Sequence, residues 1–197
     1  MAKKLKKVFL SASIPLADRD PKYFDTADNT AIRDSVIALA RMILPKAELV
    51  WGGHPSITPL IRAVLEKQQL DVAKHVMLYQ SNFFAKFFLP ENEYFEKLIR
   101  TDALADKASS LELMRKKMIV ENEFCAAVFI GGMEGVEDEY KLFKDAHPNV
   151  PVFPIASTGA ASKILYFEDN FDYERLLTEF CYLPLFDELF EGILSGE

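Results

Sequence analysis

Ala126-Ala127-Val128-Phe129-Ile130-Gly131-Gly132 is an unbroken apolar run that ends on a pair of glycines. A short apolar run with β-branched and aromatic members, closed by a turn signal, reads as a strand buried on both faces. The glycines supply the permissive backbone that a strand-to-helix turn requires. Residues 137–146 follow with helical spacing, and 150–155 read as the next strand. A helix crossing between two buried strands is the βαβ unit of a parallel sheet.

The same alternation extends outward from this unit. Residues 8–13, 47–51 and 75–79 read as strands, the second closing on Gly52-Gly53, and a weaker strand signal lies at 98–101. Residues 31–44 carry Ile32, Val36, Leu39, Ala40 and Ile43 on one stripe and stop at Pro45. Residues 58–69 place Leu60, Ile61, Val64 and Leu65 at helical spacing, and 109–123 do the same with Leu111, Met114, Met118 and Ile119. A short helix is expected at 159–165, and 173–194 form an amphipathic stretch expected to split at Pro184. The expected fold class is α/β: a doubly wound, mostly parallel, Rossmann-like sheet in three α/β/α layers. No repeat, low-complexity tract or linker divides the chain, so residues 1–197 are expected to form one domain. Its core would span about 6–165, with a C-terminal helical segment at 172–195.

Composition narrows the function classes. Half of the 197 residues are hydrophobic, enough for a sizeable core. No stretch approaches the ~20 apolar residues of a membrane span. Met1-Ala2-Lys3-Lys4-Leu5-Lys6-Lys7 reads as a solvated basic lead-in to the first strand rather than an export signal, so a cytoplasmic location is expected. Cys125 and Cys181 sit among apolar neighbours and are expected to be buried reduced thiols. The net charge of -7 opposes general nucleic-acid binding. His54, His75 and His147 lack metal-ligand spacing, and no metal or cofactor is expected.

Ligands of such sheets gather at the carboxyl ends of the strands. The residues placed there are small, hydroxylated or glycine: Ser11 and Ser13, then Gly52, Gly53, His54 and Ser56, then Gln80. Gly131, Gly132, Met133, Glu134 and Gly135 follow the fifth strand, and Ser157, Thr158, Gly159 and Ala160 the last. One glycine pair is explained by turn geometry alone. Several such loops on one sheet edge point instead to a phosphate-bearing ligand held by backbone N–H groups and helix N-termini. Arg115 offers bidentate contacts to a phosphate. Glu139 offers a carboxylate for ribose hydroxyls or for a developing positive charge on a sugar. Trp51 reads as core or as a wall on which a base stacks. The aromatic run Phe83-Phe84, Phe87-Phe88 and Tyr94-Phe95 reads as core, interface or lid.

At these loops the chain resembles the SLOG superfamily, which unites the "lonely guy" (LOG) phosphoribohydrolases, DNA-processing proteins and the nucleotide-sensing domains of TRPM channels. Leu49-Val50-Trp51-Gly52-Gly53 with Ser56 resembles its first Gly-rich loop. Met114-Arg115-Lys116-Lys117-Met118 resembles the LOG helix with its Arg-Lys pair, and the segment from Ala127 to Glu139 resembles the LOG Pro-Gly-Gly-x-Gly-Thr-x-x-Glu signature. Ser157-Thr158-Gly159-Ala160-Ala161 is similar to a turn of the sensor-type members. Ile130 stands in place of the signature proline, Glu134 is an extra residue, and Val136 replaces the threonine. The resemblance implies a binder of nucleoside phosphates, ADP-ribose-like molecules or cyclic nucleotide signals. Its alternative is a nucleoside 5'-monophosphate N-glycosidase in which Arg115 and Glu139 are catalytic. The altered signature favours the sensor. The other expected partner is a second copy of the chain, in a homo-oligomer built on the aromatic segment and terminal helices.

Overall fold

The computed structural model describes residues 5–194; residues 1–4 of the basic lead-in and 195–197 after the C-terminal segment lie outside the described residues. Six strands, β1 (Lys6–Ser13), β2 (Ala47–Trp51), β3 (Val76–Ser81), β4 (Leu98–Thr101), β5 (Ala126–Gly131) and β6 (Val152–Ile155), form one sheet in the order β4-β3-β2-β1-β5-β6. Every neighbouring pair is parallel. The connecting helices are α1 (Pro21–Phe24), α2 (Asn29–Ile43), α3 (Thr58–Gln68), α4 (Val72–His75), α5 (Lys107–Arg115), α6 (Glu134–Ala146), α7 (Ala160–Glu168), α8 (Arg175–Thr178) and α9 (Tyr182–Leu189). The fold is therefore the doubly wound α/β/α arrangement that the alternation of elements predicts.

Side-chain alternation in the strands builds a core on each face. In β1, Val8 and Leu10 join one core and Phe9 the other; in β5, Ala126, Val128 and Ile130 oppose Ala127 and Phe129. The first core takes Leu39 and Ile43 of α2, Leu65 of α3, and Leu185 and Phe186 of α9. The second takes Met114 of α5, Phe143 of α6 and Leu165 of α7. Phe9 lies between layers, stacked on Phe143 at 5.4 Å and edge-on to Phe129 at 6.0 Å. All residues of β2 and β5 are buried; β5 is a continuous apolar run, whereas β2 carries Glu48, whose carboxylate is paired with Lys97.

Differences from the sequence reading have local causes. β3 runs on to Gln80 and Ser81, polar residues that pair with Arg100 and Thr101 of β4 and carry no hydrophobic signal. The helix expected over 109–123 is α5, capped by Asp106 on the Ser109 amide at 2.8 Å, followed by a π turn over Lys116–Val120. Helix α6 begins at Glu134, earlier than expected, because Gly135 lies inside its first turn rather than in the loop. The C-terminal stretch breaks at residues 179–181, not at Pro184. Pro184 occupies the first turn of α9, where a missing N–H costs no helical hydrogen bond. Cys125 is only partly buried, and Cys181 is exposed where it precedes α9, so the expectation of two buried thiols is corrected. Among the described residues no helix is long and apolar enough to cross a membrane.

Candidate functional site

The strand order reverses between β1 and β5, so a crevice opens outside their carboxyl ends at Ser13 and Gly131. A cleft of about 1100 Å³ extends from this crevice across the ends of β2 and β3. Ser11 and Ser13 come from β1, and Trp51 with Gly52, Gly53 and His54 from the end of β2. Gln80 and Ser81 end β3; Met114 and Arg115 face the cleft from α5; Met133, Glu134, Gly135 and Glu139 approach from the start of α6. The far wall is the aromatic segment after β3, two short 3-10 turns (Asn82–Phe87 and Pro90–Tyr94) that contribute Phe84, Phe87 and Asn92.

Arg115 and Glu139, distant in sequence, meet in this cleft. Arg115 Nε lies 3.5 Å from Glu139 Oε1, and the two side chains keep only 15% and 14% of their surface exposed. Glu139 Oε2 accepts a hydrogen bond from Ser11 Oγ at 2.6 Å. Arg115 also donates to Asp138 Oδ2 at 3.0 Å and to the Gly135 carbonyl at 3.3 Å. Burial pushes the Glu139 carboxyl above its ordinary range, and the Arg115 cation and the Ser11 hydroxyl pull it back. The arrangement places Arg115 at the junction of α5 and the π turn, a distortion frequent at functional sites. Arg19 is ion-paired with Glu134, tying the loop after β1 to the head of α6.

The two glycine pairs differ in what they do. Gly131 and Gly132 take positive φ values of 56° and 90°, and a Cβ on Gly132 would lie 2.2 Å from Val136 Cγ2. Their amides are already engaged: Gly131 N–H donates to Thr158 Oγ1 at 2.9 Å, and Gly132 N–H to the Ser13 carbonyl at 2.9 Å. This pair therefore makes the turn and closes the crevice, and neither glycine lines the cleft. The residues that follow, Met133, Glu134 and Gly135, do line the cleft. The first N–H groups of a helix have no intrahelical partner, and those of Glu134 and Gly135 head α6. Gly52 and Gly53 do line the cleft, and Gly52 rests on the methyl groups of Met114 and Met118.

Residues 157–160 stand apart from the cleft. Thr158 Oγ1 donates to the Ile155 carbonyl at 2.5 Å, Ser157 Oγ bonds the Tyr182 hydroxyl at 3.1 Å, and Ala160 N–H donates to Thr26 Oγ1 at 3.0 Å. Gly159 is pressed against the Thr26 backbone. The turn clasps the segment before α2 and the C-terminal helices rather than facing the ligand edge. Ser56 is likewise set back, its hydroxyl 2.7 Å from His54 Nδ1. His54 caps α3 through its carbonyl, which accepts from Thr58 N–H at 3.1 Å, and burial holds its imidazole below the ordinary histidine range.

Several lining residues escaped the sequence reading. Leu16 and Arg19 come from the loop after β1, Lys107, Leu111 and Glu112 from α5, and Asn92 from the second 3-10 turn. The aromatic segment did carry a signal. Phe87 is 67% exposed although it borders the cleft, whereas Phe95 is buried edge-on against Trp51 at 5.1 Å. Asn92 carried none, since one polar residue in a polar turn looks like solvated surface.

The comparisons with known proteins fit this geometry. The family model described as the SLOG cluster3 family matches residues 22–190. No curated protein matches the chain. Among solved structures, the X-ray structure of TM1055, a structural-genomics target, is similar with a TM-score of 0.57 over 87% of this chain and 89% of that one. At 16% identity that likeness speaks for the fold alone. The family match spans five of the six strands and the cleft residues from Trp51 onward, and on it the chain belongs to the SLOG cluster3 family.

Proposed function

We propose that the protein binds a nucleotide-derived small molecule in this cleft and acts as a ligand-sensing domain. The observation that carries the reading is the convergence of one polar pole and one apolar wall at the switch point of the sheet. The pole is Ser11, Arg115, Glu139 and the head of α6; the wall includes Trp51, Phe84, Phe87 and Met114. A nucleoside phosphate has the same division, an anionic end and a flat apolar base. Arg19 and Arg115 are each held by carboxylates that remain half exposed, 52% for Glu134 and 58% for Asp138. The Arg19–Glu134 pair is exposed on both sides and worth ~0–1 kcal/mol, so a phosphate can take over the Arg19 guanidinium at small cost. Arg115 keeps its buried partner Glu139 and can exchange only Asp138. The volume of about 1100 Å³ accommodates a ligand larger than a mononucleotide. ADP-ribose-like and cyclic nucleotide signals are therefore candidates alongside nucleoside monophosphates. Calorimetry against these three classes tests the reading. Binding is expected in at least one class and is expected to weaken about tenfold or more in Arg115→Met; silence across the panel at millimolar concentration refutes it.

A second reading is favoured by one feature, the buried carboxylate of Glu139 held by Ser11 and Arg115 beside the ligand space. A carboxylate so placed stabilises positive charge on a ribosyl ring as its glycosidic bond lengthens. The protein would then release a free base and ribose 5-phosphate from a nucleotide. Burial weakens the case, since it favours the neutral acid. Chromatography of nucleoside monophosphates incubated with the protein separates the readings. Base release that is abolished in Glu139→Gln supports cleavage, and binding without release supports the sensor.

A further inference from the structure

Among the described residues, the two arginines that line the cleft are both held by carboxylates that line it with them. Arg115 is paired with Glu139 and Asp138, and Arg19 with Glu134. An anionic ligand can therefore take either guanidinium only by displacing a carboxylate. The three carboxylates differ in how firmly they are kept. Glu139 is largely buried and also accepts from Ser11 Oγ at 2.6 Å, so it stays in place. Asp138 is more than half exposed, but its departure leaves Arg115 still paired with Glu139. Glu134 is the exchangeable one: its side chain is 52% exposed, that of Arg19 is 40% exposed, and the pair joins the loop after β1 to the first residue of α6.

The position of Glu134 adds to its charge. It opens a 13-residue helix whose preceding residue, Met133, supplies no side-chain cap. A helix head favours negative charge, whether it comes from an acidic side chain or from a bound anion. The Glu134 carboxylate thus gives Arg19 and the head of α6 what the phosphate of a ligand would give them. We infer that Glu134 is a built-in competitor of the ligand's anionic end: its carboxylate holds Arg19, and the ligand binds by displacing it. This assignment rests on the nucleotide reading of the cleft and adds what restrains its affinity. A displaced carboxylate on so exposed a side chain turns into water and is screened there. Exposed pairs of this kind shift an equilibrium by up to about fivefold. Glu134 therefore sets the ligand concentration at which the cleft fills without closing it.

Glu134→Gln keeps the size of the side chain and removes its charge. AMP, ADP-ribose and cyclic AMP are titrated by calorimetry at low salt into the parent protein, Glu134→Gln, Arg19→Met and the double variant. Both positions are exposed, and circular dichroism confirms that each variant is folded. Glu134→Gln is expected to tighten the binding of whichever probe binds by about threefold or more. In the Arg19→Met background the same substitution is expected to change affinity by less than about twofold, because the carboxylate is no longer held at the cleft. The difference between the two backgrounds measures the exchange. Unchanged or weaker binding in Glu134→Gln overturns the competitor while leaving the cleft a nucleotide site. An equal gain in both backgrounds overturns it too, since a general charge effect does not need Arg19. Failure of all three probes to bind any of the four proteins overturns the competitor and the nucleotide reading together.

Discussion

Gly159→Ala separates the structural glycines of this fold from those that face the ligand. Gly159 has φ 73° and ψ -158°, a region essentially closed to residues with a Cβ. Holding alanine there costs on the order of 1–3 kcal/mol. The added methyl would also lie 1.8 Å from the Thr26 carbonyl oxygen and 2.6 Å from its carbon. Those are backbone atoms, and the turn is fastened to them by Ala160 N–H on Thr26 Oγ1 and by Asp28 N–H on the Thr158 carbonyl. Relief of the clash separates the two segments and forfeits both bonds, each worth about 0.5–1.5 kcal/mol net. A total loss of roughly 2–6 kcal/mol follows from these two effects. For a chain of this length that lowers Tm by roughly 4–24 °C. Gly52→Ala is the control, since its methyl would meet Met114 Cε at 3.5 Å and Met118 Cε at 3.6 Å, ordinary contacts. It is expected to stay within about 1 kcal/mol of the parent protein. Urea unfolding followed by Trp51 emission and circular dichroism measures both. A Gly159→Ala protein within about 1 kcal/mol of the parent refutes the clasp.

Two further outcomes follow from the buried titratable groups. Arg115→Met removes the cation that opposes burial at Glu139, so that carboxyl is expected to titrate at higher pH than in the parent. A raised folded-state value means more protons bound when folded, so this contribution to stability is full below the ordinary carboxylate range and is lost as pH rises through the folded value. Carbon NMR of the Glu139 carboxyl checks it, and an unmoved titration refutes the coupling. Tyr182 is pushed up to about 12 by burial, with the Ser157 hydroxyl opposing. Its contribution is therefore present below pH ~10 and is lost between the unfolded value of ~10 and the folded one, at up to about 1.4 kcal/mol per pH unit. Tyr182→Phe is expected to flatten the stability profile in that window while costing about 1 kcal/mol at neutral pH. An unchanged alkaline slope counts against this account.

The sheet was legible because its strands are buried on both faces. Residues 126–130 read as a strand from an unbroken apolar run alone, and 47–51 from an apolar run broken only by Glu48; each ends on glycines that start a turn. Strand ends that carry polar residues were less visible. Gln80 and Ser81 belong to β3 only because β4 pairs beside them. The π turn at Lys116–Val120, which continues α5 and packs against α6, has no sequence mark.

By itself the sequence determined the α/β class, the chain order of the elements and the chemical character of the residues after each strand, because periodicity and turn chemistry are local. It also singled out Arg115 and Glu139 as charged residues near those ends. Tertiary structure alone decided which of these residues meet. Strand order places β1 beside β5 and thereby brings Ser11 to Glu139. The same order leaves the Ser157–Ala160 turn outside the cleft, where its hydrogen bonds hold other segments. The pairing of Arg19 with Glu134 became visible only in three dimensions. Which carboxylate holds an arginine depends on neighbours that are distant in the chain.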